Sequence, residues 1–282
     1  MKFSWDDADS LIAIVRQAAK QEIMPRYRRL PAGAIRTKTS DTDLVTDADR
    51  GAEASIHQAV GQLLPDAEVI GEEAVSDDGT VLDRIGASDL AVIVDPVDGT
   101  WNYAKGLPLF GVIVAVVAGG ETVFGLLYDP VMDDWIVAIR NEGAFFGRPD
   151  ETRQPVRVAE PKPLDRSTGF IPLYLFPRRV QRDLASTYPD FERINTLRCS
   201  CHEYRMLAEG KVDFQLTGSL KPWDHAAGVL IHSEAGGYSA FMDGSHYRPT
   251  LRTGTLLLAP DVEAWRSLRE RFALLADIAG PG

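Results

Sequence analysis

Two carboxylates three residues apart, Asp95 and Asp98 in Asp95-Pro96-Val97-Asp98-Gly99-Thr100, follow directly on an apolar run at 90–94. Pro96 is expected to stop a strand there and Gly99 to let the chain turn tightly, which holds both acids where the chain leaves a sheet. Anions so placed repel one another unless a cation lies between them. Magnesium takes carboxylate and water oxygens, and the Val97 carbonyl is a further donor. Two more acids stand at comparable exits: Glu72 after the apolar run 68–70, and Asp224 just past Pro222 at the start of a helical pattern. Alone, Asp-Pro-x-Asp-Gly is a common turn, and an acid in a first helical turn is a cap or dipole partner. The combination is what points to a metal site.

The elements that must position these residues are legible from periodicity. Apolar residues Leu11, Ile12, Ile14, Val15, Ala18 and Ala19 give an opening helix that runs until Pro25. A polar stretch at 32–46 reads as a mobile loop or short hairpin, and helical spacing resumes over 47–64. Strands are expected at 68–70 and 90–94, then at 111–117, 122–128 and 135–139 as antiparallel hairpins. A Pro- and Arg-rich seam at 148–166 separates two halves, 1–160 and 161–282. The second half alternates: strand 167–171, helix 178–187, helix 201–209, strand 212–216, helix 223–234, strands 238–241 and 255–259, and a closing helix after Asp261. The fold class is mixed α/β (α+β) in layers.

Composition narrows the function. With 45% hydrophobic and 25% charged residues the chain can bury a continuous core, and a net charge of -11 argues against a surface that tracks nucleic-acid phosphates. An acidic protein can still bind anions when metal ions supply positive charge. No apolar run approaches a membrane span and no signal-like core follows the N-terminus, so a cytoplasmic protein without membrane contact is expected. Cys199 and Cys201 are the only cysteines. Free thiols are expected of them.

The Asp-Pro-Val-Asp-Gly-Thr segment, Gly71-Glu72-Glu73, Trp223-Asp224 and the run Asp43-Leu44-Val45-Thr46-Asp47-Ala48-Asp49 occur in an order that resembles the inositol monophosphatase family, over roughly residues 38–237. The resemblance implies a layered αβαβα sandwich, like that of inositol monophosphatase and fructose-1,6-bisphosphatase, and a homodimer. It implies two or three Mg2+ ions: Glu72, Asp95 and the Val97 carbonyl around one, Asp95, Asp98 and Asp224 around a second, and a weaker third near Glu72. Thr100, oriented by Asp49, then positions the attacking water together with Glu72. Phosphate oxygens would meet the backbone N–H groups of Gly99 and Thr100, with no phosphorylated enzyme intermediate. Lys38 matches a basic residue of the family's mobile loop, although a solvated loop lysine explains it equally well. Asp47 and Glu73 receive no metal role and are read as surface or supporting acids. His225 could touch substrate through its place beside Asp224.

The alcohol pocket departs from the family. Where relatives carry Gly-Ser/Thr-Ala-Ala, this chain has Arg198-Cys199-Ser200-Cys201, and Thr217 stands where they place a Glu seven residues before the metal-binding Asp. Losing a carboxylate aimed at substrate hydroxyls should alter discrimination. The sequence therefore supports a phosphatase for a small phosphorylated alcohol, with Arg198, Ser200 and Thr217 at the substrate. Inositol, histidinol and sugar phosphates are candidates, and an Arg198 that pairs with a second anion favours bisphosphates such as a 3′(2′),5′-bisphosphate nucleotide. A regulatory binding protein that kept the fold is the reading from another class.

Overall fold

The structure, a computed structural model, describes residues 3–30, 35–37 and 44–275. Ser4 and Asp7 exchange hydrogen bonds in a capping box that starts α1 (Trp5–Ala18), and the helix widens into a π-helical stretch at Ala19–Ile23, two residues short of Pro25. Strands β1 (Ile35–Thr37) and β2 (Leu44–Thr46) pair antiparallel, in keeping with the expected hairpin. Thr46 and Asp49 then build a second capping box, which fixes the start of α2 (Asp47–Leu63). After β3 (Glu68–Gly71) come the short helices α3 (Glu72–Asp77) and α4 (Arg84–Ala87), then β4 (Leu90–Asp98) and the single turn α5 (Thr100–Ala104). Hairpins follow through β5 (Gly111–Ala118), β6 (Glu121–Asp129), β7 (Asp134–Ile139), β8 (Gly143–Gly147) and the edge pair β9 (Gln154–Pro155). The remainder is β10 (Thr168–Phe170), α6 (Arg178–Ala185), β11 (Arg193–Asn195), α7 (Ser200–Ala208), β12 (Phe214–Thr217), α8 (Pro222–Glu234), β13 (Tyr238–Phe241), β14 (Leu256–Ala259) and α9 (Val262–Arg271).

Alternation along the strands sets the layers. Strands β3 to β9 form a seven-stranded sheet in chain order; β3 is parallel to β4 and its other pairs are antiparallel. On β5, Val112, Val114 and Val116 pack on one side with Leu11, Val15 and Ile56 of α1 and α2, while Ile113, Ala115 and Val117 pack on the other with α7 and α8. The second sheet runs β11-β10-β12-β14-β13. Leu256 and Leu258 of β14 meet the α7/α8 layer, and Leu257 and Ala259 meet Leu184 of α6 and Trp265 and Leu268 of α9. The order is helix, sheet, helix, sheet, helix, as the family resemblance implied. Among the described residues no helix is long and apolar enough to cross a membrane.

Three local expectations need correction. Pro96 does not end its strand: β4 continues to Asp98, with a register shift between Asp95, opposite Ile113, and Asp98, opposite Gly111. A β-bulge tolerates proline, and the extra residue is what allows it here. Strands β8 and β11 escaped the sequence reading because glycine in one and polar residues in the other mask their pattern. The seam at 148–166 contributes β9 to the first sheet.

Helix α8 lies unusually close to that sheet, since a Cβ on Gly125 of β6 would stand 2.7 Å from the Ala227 carbonyl oxygen. The approach carries Asp224 toward β4. Gly125→Ala should therefore push α8 outward, lowering stability by about 1–3 kcal/mol through overpacking. A melting curve should show a drop of several degrees, with weaker magnesium-induced stabilisation than the wild type.

Candidate active site

The bulge does the first positioning step. Residues three apart on a regular strand face opposite sides, but one inserted residue lets Asp95 and Asp98 turn to the same side. Asp224, in the first turn of α8, meets them there. One carboxylate oxygen from each of the three lies within 4.8 Å of the others. Gly99 continues the chain with φ 86°, in the left-handed region, and a Cβ there would stand 2.8 Å from the Leu109 carbonyl oxygen. Only glycine meets both demands.

Glu72 arrives from β3 as the first residue of α3, and that helix start is capped from another element. Glu53 of α2 accepts hydrogen bonds from the backbone N–H groups of Glu73 (2.8 Å) and Ala74 (2.9 Å). Its carboxylate lies so close to Gly71 that a Cβ there would meet it at 2.1 Å. Glu72 itself faces Lys221 Nζ at 3.8 Å.

Asp49 is buried behind this wall. Its Oδ2 accepts from Thr46 N (2.8 Å) and Thr46 Oγ1 (2.6 Å), and its Oδ1 lies 3.1 Å from Thr100 Oγ1. Thr100 Oγ1 is also 2.9 Å from the Val97 carbonyl oxygen. A hydroxyl has one proton to donate, so a cation drawing on the Val97 carbonyl would direct that proton to Asp49.

These residues line one cavity of about 300 Å³: Glu72, Asp95, Val97, Asp98, Gly99 and Thr100 on one part of its wall, Arg198, Ser200, Thr217 and Asp224 on the rest. The structure thus brings together nearly every residue singled out in the sequence, with Asp49 reaching the cavity through Thr100. Lys38 and Asp43 lie outside the described residues. Asp47 is exposed and pairs with Arg36 at 3.1 Å, whereas Glu73 is buried rather than on the surface. His225 borders the cavity with both ring nitrogens engaged: Nε2 with the Ser219 carbonyl (2.7 Å) and Nδ1 with the Tyr204 hydroxyl (2.9 Å). Burial lowers its pKa to about 4. A neutral ring donating from Nε2 and accepting at Nδ1 braces the start of α8, which is a different role from contact with substrate. Both cysteines are free and buried.

Sequence reasoning missed Glu53, Glu203 and Gln215. Glu203 of α7 accepts from Leu197 N (2.7 Å), Thr196 Oγ1 (3.2 Å) and Gln215 Nε2 (3.0 Å), and burial pushes its carboxyl up to about 7. Their only signal in sequence was a polar residue on an otherwise apolar helix or strand face.

The electrostatics fit a hard cation. Asp95 is raised well above the usual carboxylate range, first by burial and then by Glu72, Asp98 and Asp224. Asp98 reaches about 7 through burial and Asp224, even though Cys201 N and Cys199 Sγ donate to its Oδ2. Asp49 also reaches about 7, chiefly by burial and against the Thr46 bonds. The donor set is entirely oxygen, as magnesium requires, and a divalent cation would relieve the repulsion.

The sequence matches the profile of the inositol monophosphatase family over residues 7–278. The chain belongs to that family. A Thermotoga maritima protein named fructose-1,6-bisphosphatase/inositol-1-monophosphatase is 31% identical over 208 residues, 72% of this chain and 73% of its own. Haemophilus influenzae Nus factor SuhB is 34% identical over 234 residues, 79% of this chain and 80% of its own, and its name does not describe hydrolysis. Among solved structures, the Thermotoga maritima IMPase superposes with a TM-score of 0.76 at 26% identity, over 96% of this chain and 99% of that one. An inositol monophosphatase from Zymomonas mobilis gives 0.78 at 22% identity, over 96% and 100%, and so speaks to the fold alone.

Carboxyls raised by burial hold protons in the folded chain that the unfolded chain has already lost. Their contribution to stability is therefore greatest below about pH 4, the unfolded carboxylate range, and declines as pH rises to about 7. Metal-free protein should melt lower at pH 8 than at pH 5, and magnesium should offset the loss. Asp98→Asn should raise the metal-free melting temperature at pH 8 by a few degrees, as ~1–2 kcal/mol of relieved repulsion would give in a chain of this size. The same variant should blunt the magnesium response. Differential scanning calorimetry in chelator and in magnesium reads both effects.

Proposed function

We propose that this chain is a magnesium-dependent phosphatase that hydrolyses a small phosphate monoester by in-line attack of water. The convergence of Asp95, Asp98 and Asp224 on one point of a small cavity carries this reading. Glu72, Asp95 and the Val97 carbonyl would hold one magnesium ion, and Asp95, Asp98 and Asp224 a second. Ions in those places supply positive charge to the phosphoryl oxygens and lower the pKa of adjacent water.

The protein's own groups do the rest. With the Val97 carbonyl engaged by a cation, Thr100 Oγ1 would donate to Asp49 and accept a hydrogen bond from the attacking water through its lone pairs. Glu72 takes one proton from that water as the water oxygen bonds to phosphorus; the ester P–O bond breaks, and the leaving alkoxide oxygen takes up a proton from solvent water. Backbone N–H groups of Gly99 and Thr100 would meet the phosphate oxygens, and the leaving alcohol would occupy the wall formed by Arg198, Ser200 and Thr217, all of which line the cavity. A cavity of about 300 Å³ suits a small alcohol rather than a macromolecular ester.

Thr100→Ala should lower kcat by roughly 10²- to 10⁴-fold, the range expected when a proton-relay contact is lost, while KM moves little. Steady-state kinetics separate the two; a change confined to KM would remove Thr100 from the water-positioning role. Phosphate release from inositol 1-phosphate, histidinol phosphate, a sugar phosphate and adenosine 3′,5′-bisphosphate tests the whole reading. Turnover of at least one in magnesium and none in chelator is expected. Silence across the panel, in protein that calorimetry shows to bind magnesium, would favour a binding role like that suggested by the name Nus factor.

A further inference from the structure

Arg198 lines the same cavity as Asp98 and Asp224, yet its charge is not answered there. Lys221, the other cation on the wall, faces Glu72 at 3.8 Å. No carboxylate among the described residues comes within ion-pair reach of Arg198. Its guanidinium carbon instead lies 4.3 Å from the ring centroid of Trp101 and 5.3 Å from that of Tyr174. Ring contacts of this kind use the faces of the guanidinium, so its N–H donors, which point outward in the plane, stay available.

The segment that presents Arg198 is built rather than loose. Arg198 has φ 55°, uncommon for a residue with a side chain. Glu203 accepts from Leu197 N and Thr196 Oγ1, Gln215 of β12 holds Glu203 at 3.0 Å, and Asn102 of α5 donates to the Leu197 carbonyl at 2.8 Å. The two buried side chains Glu203 and Gln215 thus anchor the turn to both α7 and the second sheet. Trp101, on α5, is fixed to the same turn through Asn102.

We propose that Arg198 is a specificity-determining anion grip, and that the chain acts on phosphate monoesters whose alcohol carries a second oxyanion, a carboxylate or another phosphate. The inference rests on the phosphatase reading above. A planar guanidinium offers paired N–H donors in the geometry of either oxyanion, and such charge-assisted bonds are the strong ones. The second anion needs this separate cation because the acid cluster and its metal ions are committed to the reacting phosphate.

Matched substrates test it. In 2-phosphoglycerate a carboxylate replaces one hydroxymethyl of glycerol 2-phosphate, and fructose 1,6-bisphosphate adds a phosphate to fructose 1-phosphate. Wild type should prefer the doubly anionic member of at least one pair by roughly 10-fold or more in kcat/KM, and which pair discriminates names the oxyanion. Arg198→Met should abolish that preference, lowering kcat/KM for the doubly anionic member at least roughly 10-fold more than for its singly anionic counterpart. Arg198→Lys, which keeps the charge without the planar fork, should retain part of it and carries the test if the methionine variant does not fold. Equal wild-type rates in both pairs, or equal slowing of both members by Arg198→Met, would overturn the proposal, the latter by placing Arg198 on the reacting phosphate. If nothing is hydrolysed, the phosphatase reading fails on its own. Calorimetric titration of the unreacted esters in magnesium then decides for Arg198: tighter binding of 2-phosphoglycerate that Arg198→Met removes supports it, and equal binding sinks it.

Discussion

Buried carboxylates that face one another without a cation are expensive, and much of this structure is arranged to impose that situation. Asp95, Asp98 and Asp224 come from two elements, α8 and the bulged end of β4, and their mutual repulsion together with burial raises the carboxyls of the β4 pair. Ordinary packing would let such groups turn toward water. Here the backbone sets their placement: the bulge turns Asp95 and Asp98 to one side, and the glycine at position 125 lets α8 approach so that half-buried Asp224 meets them. A divalent ion would relieve the repulsion of this cluster, which would link folding to metal binding through the same few residues.

Supporting contacts follow from that constraint. Glu53 caps the helix that starts at Glu72, so the cap is itself an acid beside the acidic cluster, and burial raises its carboxyl too. Asp49 has two jobs on its two oxygens, closing the capping box of α2 with Thr46 and receiving Thr100. Because α2 cannot be properly started without Asp49, the group that orients Thr100 is held by the same bonds that begin a core helix. The placement of Thr100 is thereby tied to secondary structure.

What could be read from the sequence depended on whether the signal was local. The acids at 72, 95 and 98 follow apolar strand patterns and Asp224 opens a helical one, and strand alternation made β5 and β6 plain. The effect of Pro96 was misread because a bulge is a property of two strands: only the partner register, Asp95 opposite Ile113 and Asp98 opposite Gly111, shows how the ladder absorbs a proline. Glu203 and Gln215 were invisible for a related reason. Each is a single polar residue on a helix or strand face, and its meaning comes from a partner twelve positions away on another element. Glu53 and Gly71 form a pair that neither residue's neighbours announce.

The relatives divide by name between phosphatases and Nus factors, so family membership leaves the biochemical role open while the site narrows it. A binding protein would have no need of a Thr100 hydroxyl poised between Asp49 and the Val97 carbonyl, nor of raised carboxyls whose repulsion lowers stability at neutral pH. Raised carboxyls gathered in a cavity are the pattern expected of a functional site, and the proposed phosphatase reading accounts for them. On the family resemblance, Arg198 and Thr217 stand on the cavity wall in place of a small residue and a carboxylate. That exchange gains one positive charge and loses one negative charge on this side of the cavity. On the proposed reading, a shift of that sign would move preference from neutral polyols toward anionic alcohols while leaving the acid cluster as it was.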